Sequence, residues 1–406
     1  SVRQLTLTDT SHQRAVPVLA VPRADLRLNL MSLLRGHLRI DAVTLYDAEL
    51  RAYVDRQGRR WTLHGRRQAG PGRAPLTFDL PTVRLLRARL HFRNDYKRTR
   101  FVAQVEEARL AARQRSGLLT VRGTLRGAVD SLSRRTGNVL TQEPVQAWVQ
   151  YRYSFARRQG AFDGSRAILR GDTMHISGTH TTATGQPSGS WLNLRFEGRQ
   201  ALMKVLPRLL PPSMLPYLAG ARSPSRAHIR YSIVGLSSPT VLPRTRLRLE
   251  LRRARLVWPD STRRISHWDL LALYDTGPAR QPSTTSLTLE HCRIYSPIGQ
   301  LDLQLRVSDF TRPVVQGRLR GRTDLPALAA LVAPGAWRAR TGAAELDVRL
   351  RGPLPPTGNQ PRPAAPRPPL SVRGWVALHD AAFDIPSRRA RITGLNGRLG
   401  LQDSLW

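Results

Sequence analysis

Cysteine is nearly absent from this 406-residue chain. Cys292 stands alone, which excludes an intramolecular disulfide, a cysteine-based zinc site and an iron–sulfur cluster. Lysine is almost as scarce: Lys97 and Lys204 are the only two among 65 basic residues, and the rest are arginine. Aromatic residues make up 6% and are scattered, without the interleaving of rings and cations that marks a nucleic-acid-binding module. No run of about 18 apolar residues occurs, so no segment reads as a membrane-spanning helix. The chain opens on Ser1, and its apolar alternation runs on to Trp406. The expectation is an excerpt of a longer protein, with any targeting signal or membrane anchor lying outside it.

Acidic residues are the other shortage. Only 28 Asp and Glu oppose the basic residues, leaving a formal charge of +37. The dominance of Arg, Ala, Gly and Pro over Lys and Asn is what a GC-rich genome imposes on neutral surface positions. The electrostatic consequence is the same whatever the cause: anionic partners are attracted, and salt weakens the attraction. Because the arginines run the whole length, anionic lipid headgroups are expected ahead of any specific nucleic acid. With 40% apolar residues, the chain has enough apolar material for a core and is not a disordered polyelectrolyte.

The dominant period is two. Leu26, Leu28 and Leu30 alternate with Asp25, Arg27 and Asn29, and Leu247, Leu249 and Leu251 with Arg246, Arg248 and Glu250. Leu301, Leu303, Leu305 and Val307 alternate with Asp302, Gln304 and Arg306, and Ala344, Leu346, Val348 and Leu350 with Glu345, Asp347 and Arg349. Each stretch predicts a strand with one apolar and one wet face, the pattern of antiparallel sheets. Helical periodicity shows at 201–219, interrupted by Pro211 and Pro212, and at 324–332.

The pattern also repeats. Strands ending in glycine at 191–198 and 314–321 are each followed by one of these helices, then by apolar alternation at 227–235 and 343–352. A shorter unit recurs as strand, polar turn and returning strand at 47–63, 87–105, 254–265 and 381–392, with turn residues that tolerate tight backbone angles. Three regions are expected: 1–190, a first repeat at 191–313 carrying the Leu-rich helix, and a second at 314–406 with a Pro-rich extended connector at 353–369.

No catalytic constellation emerges, and the chain reads as a non-enzyme without cofactor or metal. His175 and His180 are five apart in an alternating stretch and fall on opposite faces. Glu106 and Glu107 are adjacent, a pattern of surface ion pairs rather than of paired acid and base. Gly394, Gly397 and Gly400 lack phosphate-loop spacing. Cys292 sits in a strand as an inert, half-buried side chain. The Leu and Met residues of 201–219, among them Leu202, Met203, Leu206, Leu209, Leu210, Met214, Leu215 and Leu218, suit packing on the sheet, or else the plugging of a groove mouth.

Residues 19–63 resemble the N-terminal part of the AsmA family: Ser32-Leu33-Leu34, Gly36, Leu38 and Ile40, then Leu45, Ala48 and Leu50, then Asp55 and Gly58. The strand–helix–strand units at 191–235 and 314–352 look like that family's later repeats. The resemblance implies a periplasmic protein of a Gram-negative bacterium, held to the inner membrane by an N-terminal helix. Its fold would be mainly β, an elongated antiparallel β-sheet of repeating hairpin units curled into a groove, with a few short helices. It implies binding or conduction of phospholipid between inner and outer membrane in support of outer-membrane assembly. The alternative is a TamB-like scaffold that targets proteins to the outer membrane by strand pairing, with an outer-membrane protein as partner. Independently of kinship, an apolar face must be covered by a second sheet, by closure, or by a ligand with long apolar chains. If a groove forms, Leu26, Leu28, Leu30, Leu247, Leu249, Leu251, Leu301, Leu303, Leu305, Leu346, Val348 and Leu350 are expected to line it, with arginines at its rim for phosphate.

Overall fold

The computed structural model describes residues 1–10, 15–28, 40–57, 59–61, 78–96, 98–134, 137–169, 171–183, 189–209, 215–216, 218–238, 241–259, 264–297, 299–326, 338–353, 370–385 and 390–405. The chain is mainly β, built of hairpin after hairpin as the alternation predicts. It divides into two compact units: Ser1–Gly198 with Ile233–Pro243, and Arg199–Ser232 with Arg244–Trp406.

In the first unit β1 (Val2–Asp9) lies antiparallel to β2 (Val16–Leu28), and β2 pairs with β3 (Ile40–Tyr46) and briefly with β4 (Glu49–Val54). A hairpin joins β4 to β5 (Arg60–Trp61). Both β3 and β4 then pair in parallel with β6 (Phe78–Asn94), the exception among the described residues to an otherwise antiparallel order. From there β7 (Thr99–Arg115), β8 (Leu118–Arg134), β9 (Gly137–Ser154), β10 (Gln159–Leu169), β11 (Asp172–Ala183) and β12 (Gly189–Ala201) follow in antiparallel succession. The β7–β8 turn shows why the strands reverse so tightly. Arg115 pairs with Leu118 across Ser116 and Gly117, whose φ angles of 49° and 74° are those of the primed turn that matches strand twist.

The second unit opens on helix α1 (Leu202–Leu209), with β13 (Arg226–Ser237) contributing residues to both units. Antiparallel succession continues through β14 (Arg244–Val257), β15 (Arg264–Asp275), β16 (Ser286–Ser296), β17 (Gly299–Ser308), β18 (Val314–Asp324), β19 (Arg338–Pro353), β20 (Leu370–Ile385) and β21 (Ala390–Leu405). Of the helix predicted at 201–219, α1 is the part formed within the described residues, while 210–214 and 217 lie outside them. Of that predicted at 324–332, Asp324 ends β18 and residues 327–332 lie outside the described residues, as do 354–369 of the connector. Gly394, Gly397 and Gly400 sit within β21. Among the described residues no helix is long and apolar enough to cross a membrane.

The repeat is written into the backbone. Asp47, Arg87, Arg253 and Asp380 all have positive φ, between 46° and 56°. Each is followed by a buried alanine: Ala48, Ala88, Ala254 and Ala381. Each alanine lies in the core, and the ladder register slips beside Ala254 and Ala381. An extra residue in a strand forces a local bend and a stronger twist, and alanine is what fits where the bent backbone closes on its neighbour. In the second unit the same device recurs with the same polar support. The Arg253 N–H donates to Asp269 Oδ1 at 2.7 Å and the Asp380 N–H to Asn396 Oδ1 at 2.8 Å, both sixteen residues on. In the first unit two such positions stand side by side and are joined by a bidentate Arg87–Asp47 pair at 2.8 and 2.9 Å.

Candidate functional site

Strand register turns the sequence alternation into continuous apolar rows. Across the second unit one row runs Leu249–Ala272–Leu289–Leu305–Gly317–Leu350–Val372, and the next runs Leu251–Leu270–Cys292–Leu303–Leu319–Val348–Gly374. A third places Ile294, Leu301, Gly321, Leu346 and Val376 together. Directly opposed residues share a face, so Leu247, Leu249, Leu251, Leu301, Leu303, Leu305, Leu346, Val348 and Leu350 all belong to one apolar face.

That face is covered unevenly. At one end α1 lays Leu202, Val205 and Leu206 over Leu249, Leu251, Ala254, Leu256 and Leu270. Leu249 and Leu251 are therefore 4% and 1% exposed, core under a helix rather than open lining. Met203 and Leu218 pack at its margin, and Leu215 is exposed. The side chain of Leu209 and all of Leu210 and Met214 lie outside the described residues. A smaller cluster of Leu325, Ala344 and Ala381 closes on Val376, Leu378 and Phe383. Between the two, Leu305, Leu319, Val348 and Leu350 are half-buried and belong to neither cluster.

In the first unit the row Leu85–Ala108–Leu125–Ala147–Ala167–Met174 repeats the arrangement. Val21, Ala24, Ala48, Ala88, Val105 and Ala108 form its buried part. Of the residues resembling the AsmA motif, Ala48 is in this core, Leu45 packs against it, and buried Asp55 organises the β4–β5 turn. Its carboxylate accepts from the Gln57 and Arg59 N–H groups and from Arg59 Nε. Residues 32–38 and Gly58 lie outside the described residues. Leu26 and Leu28 sit on β2 opposite Val43 and Ile40, but at 44% and 40% exposure they stand clear of the core, and Leu30 lies outside the described residues.

An aromatic cluster on this unit's apolar side escapes the sequence reading. Tyr151, Tyr153, Phe162 and His180 have ring centroids 5.0 to 6.4 Å apart, and the Tyr151 hydroxyl pairs with His180 Nε2 at 2.9 Å. Burial holds the His180 imidazole below its ordinary pKa and pushes the Tyr151 phenol up. His175 stands opposite Glu197 and Arg166, five residues away along an unbroken β11–β12 ladder. Alternation of aromatics on β9 was the available signal, but only pairing with β10 and β11 brings the four rings together.

Glu106 and Glu107 are both ion-paired, Glu106 with Arg126 and Glu107 with Arg84 and Arg109. The register slips between Val105 and Glu107, so strict alternation does not separate them. Cys292 is more deeply placed than half-buried, at 6% exposure within the cluster under α1. Burial raises its thiol pKa, and the Trp268 indole N–H donates to Sγ at 3.4 Å. No family model, no curated protein and no solved structure matches the chain.

Proposed function

We propose that the apolar face is a lipid-binding surface, and that the chain is the periplasmic part of an AsmA-like protein handling phospholipid between inner and outer membrane. One observation carries this reading: the register aligns leucines and valines into rows across adjacent strands, yet leaves Leu305, Leu319, Val348 and Leu350 half-buried between two covered ends. An acyl chain lying along such a row would be shielded from water at about 0.8 kcal/mol per methylene. The tether and the partners at either membrane belong to the same proposal and rest on the AsmA resemblance alone.

Native mass spectrometry of the 406-residue chain, expressed in a Gram-negative host, tests it. Co-purifying phospholipid is expected, and it should be lost in the Leu305→Asn, Leu319→Asn, Leu350→Asn variant while circular dichroism stays unchanged. A lipid-free wild-type protein would sink the reading.

A second reading, a TamB-like scaffold, is favoured by the outermost strands. Within the described residues β1 pairs only with β2, and β21 only with β20. Leu5, Leu7 and Leu399 are exposed on them, at 40%, 45% and 58%. Such edges can take an added strand. Crosslinking from Leu399 to a client strand, together with lipid-free protein, would put this reading first.

A further inference from the structure

The opposite, polar face of the second unit treats charge in two ways. One row alternates signs across four strands: Arg293, Asp302, Arg320, Asp347. The next row does not. Arg318, Arg349 and Arg373 stand directly opposite one another on β18, β19 and β20. Adjacent strands lie about 4.8 Å apart, and like charges so placed destabilise a sheet. Among the described residues Arg318 alone of the three is compensated, by a bidentate pair with Asp347, a carboxylate that Arg320 also uses. Arg349 and Arg373 are exposed and, among the described residues, make no ion pair with a carboxylate, and the same holds for Arg306 and Arg351 one step along the strands.

These two rows are the walls of a trough of about 640 Å³, with Arg306 and Arg351 on one side and Arg318 and Arg349 on the other; the carboxylate of Glu290, on β16, also lines it, so an anionic ligand is placed beyond that residue, across β17–β20. Its floor is the ladder of Leu305, Gly317 and Leu350, whose side chains belong to the other face. The walls are two residues apart along each strand, about 7 Å. That width admits one extended chain, whereas a duplex or a bilayer plane would meet only the arginine tips. No aromatic residue lines the trough, so it offers nothing for bases to stack on. Guanidinium forks, in contrast, match phosphate oxygens bidentately.

We propose that this trough is a binding site for a linear chain of phosphates, lying across β17–β20 and held by Arg306, Arg349 and Arg351, with Arg373 extending it and Arg318 fixed on Asp347 at its wall. The site is on the face away from the apolar rows and does not depend on the lipid reading.

Isothermal titration calorimetry of the 406-residue chain with sodium tripolyphosphate tests it, against Arg349→Gln/Arg351→Gln and against a control, Arg23→Gln/Arg27→Gln, that removes the same charge from the first unit. One-site binding is expected, weakened about tenfold or more in the trough variant and barely in the control. Equal weakening in both, or no binding, overturns the proposal, because bulk charge would then explain everything. Orthophosphate matching tripolyphosphate overturns the requirement for a chain. Tighter binding of oligothymidylate or of phosphatidic acid vesicles through the same arginines overturns the ligand class in favour of nucleic acid or membrane. Should the glutamine pair fail to fold, Arg349→Lys/Arg351→Lys keeps the charge but loses the forks, and weakened binding is still expected.

Discussion

The covered end and the open middle of the second unit are made of the same residues in the same alternation, yet they meet different fates. Leu251 and Leu350 are both leucines on the apolar side of antiparallel strands. Leu251 is sealed by α1 at 1% exposure, and Leu350 is half-buried with no cluster over it. The alternation therefore specifies a face, and a covering element decides whether that face is core or contact surface. Substitution separates the two most sharply. Leu251→Ala is expected to destabilise by about 2–5 kcal/mol through lost burial and a residual cavity. Leu350→Ala should cost under about 1 kcal/mol, since little area leaves the interior. Urea denaturation of both variants checks this. Comparable losses would mean that something covers Leu350 in solution, and a co-purified lipid would be the first suspect.

The bulges sharpen the comparison at the next level. Ala254 and Ala381 follow positive-φ residues and are at most 1% exposed, so a larger side chain has nowhere to go. Ala254→Leu and Ala381→Leu should each cost about 1–3 kcal/mol by overpacking. Ala377→Leu, one strand turn away at a half-buried position, should cost much less. Equal effects at all three would show that the bulges do not set the packing.

Much of this fold was legible because β-structure writes itself with period two. The strands at 246–251, 301–307 and 344–350 and the four hairpins follow directly from alternation and turn residues. The rows of the apolar face did not, because alternation fixes a residue's side within its own strand but not its register against the next. Nor did the site's boundary: burial of Leu249 and Leu251 depends on where α1 folds back, which alternation within their strand does not record. The positive-φ residues Asp47, Arg87, Arg253 and Asp380 broke the period, the last two with a register slip beside them. At Arg253 and Asp380 the sequence mark, a small residue after a polar one with an acceptor sixteen positions on, becomes visible only once Asp269 and Asn396 are seen doing the same work.

That equivalence yields a pH prediction. Burial alone would raise the Asp269 carboxyl, but the Arg253 N–H and the His267 ring together hold it below its ordinary value. A depressed carboxylate contributes stability above its unfolded pKa and loses it as pH falls through the folded one. The bulge at Arg253 should therefore weaken below about pH 4, while the Asn396-supported bulge at Asp380 keeps its neutral acceptor. Asp269→Asn should flatten the acid limb of the stability curve with little change at neutral pH, and Asp269→Ala should cost about 1 kcal/mol at all pH values above it. Amide exchange at Arg253 against Asp380, followed from pH 6 to 3, reads the two copies side by side. Parallel loss of protection in both would dissociate the effect from Asp269.

The smallest expected effect tests the polar face. Arg349 faces Arg318 and Arg373, with no ion pair of its own among the described residues, whereas Arg320 sits between Asp302 and Asp347. If the opposed arginines are retained at a cost to stability, Arg349→Thr should stabilise the free protein by about 0.2–1 kcal/mol, threonine being favoured in strands and the repulsion being removed. Arg320→Thr should do the opposite, since it breaks an alternating row. The gain at Arg349 should shrink with added salt as the repulsion is screened, and it should vanish or reverse with tripolyphosphate present, because a ligand bound only to the native state stabilises the wild type in proportion to its affinity. A gain that persists unchanged with salt and phosphate would mean the arginines are merely poor strand residues, and the contrast between the two rows would carry no function.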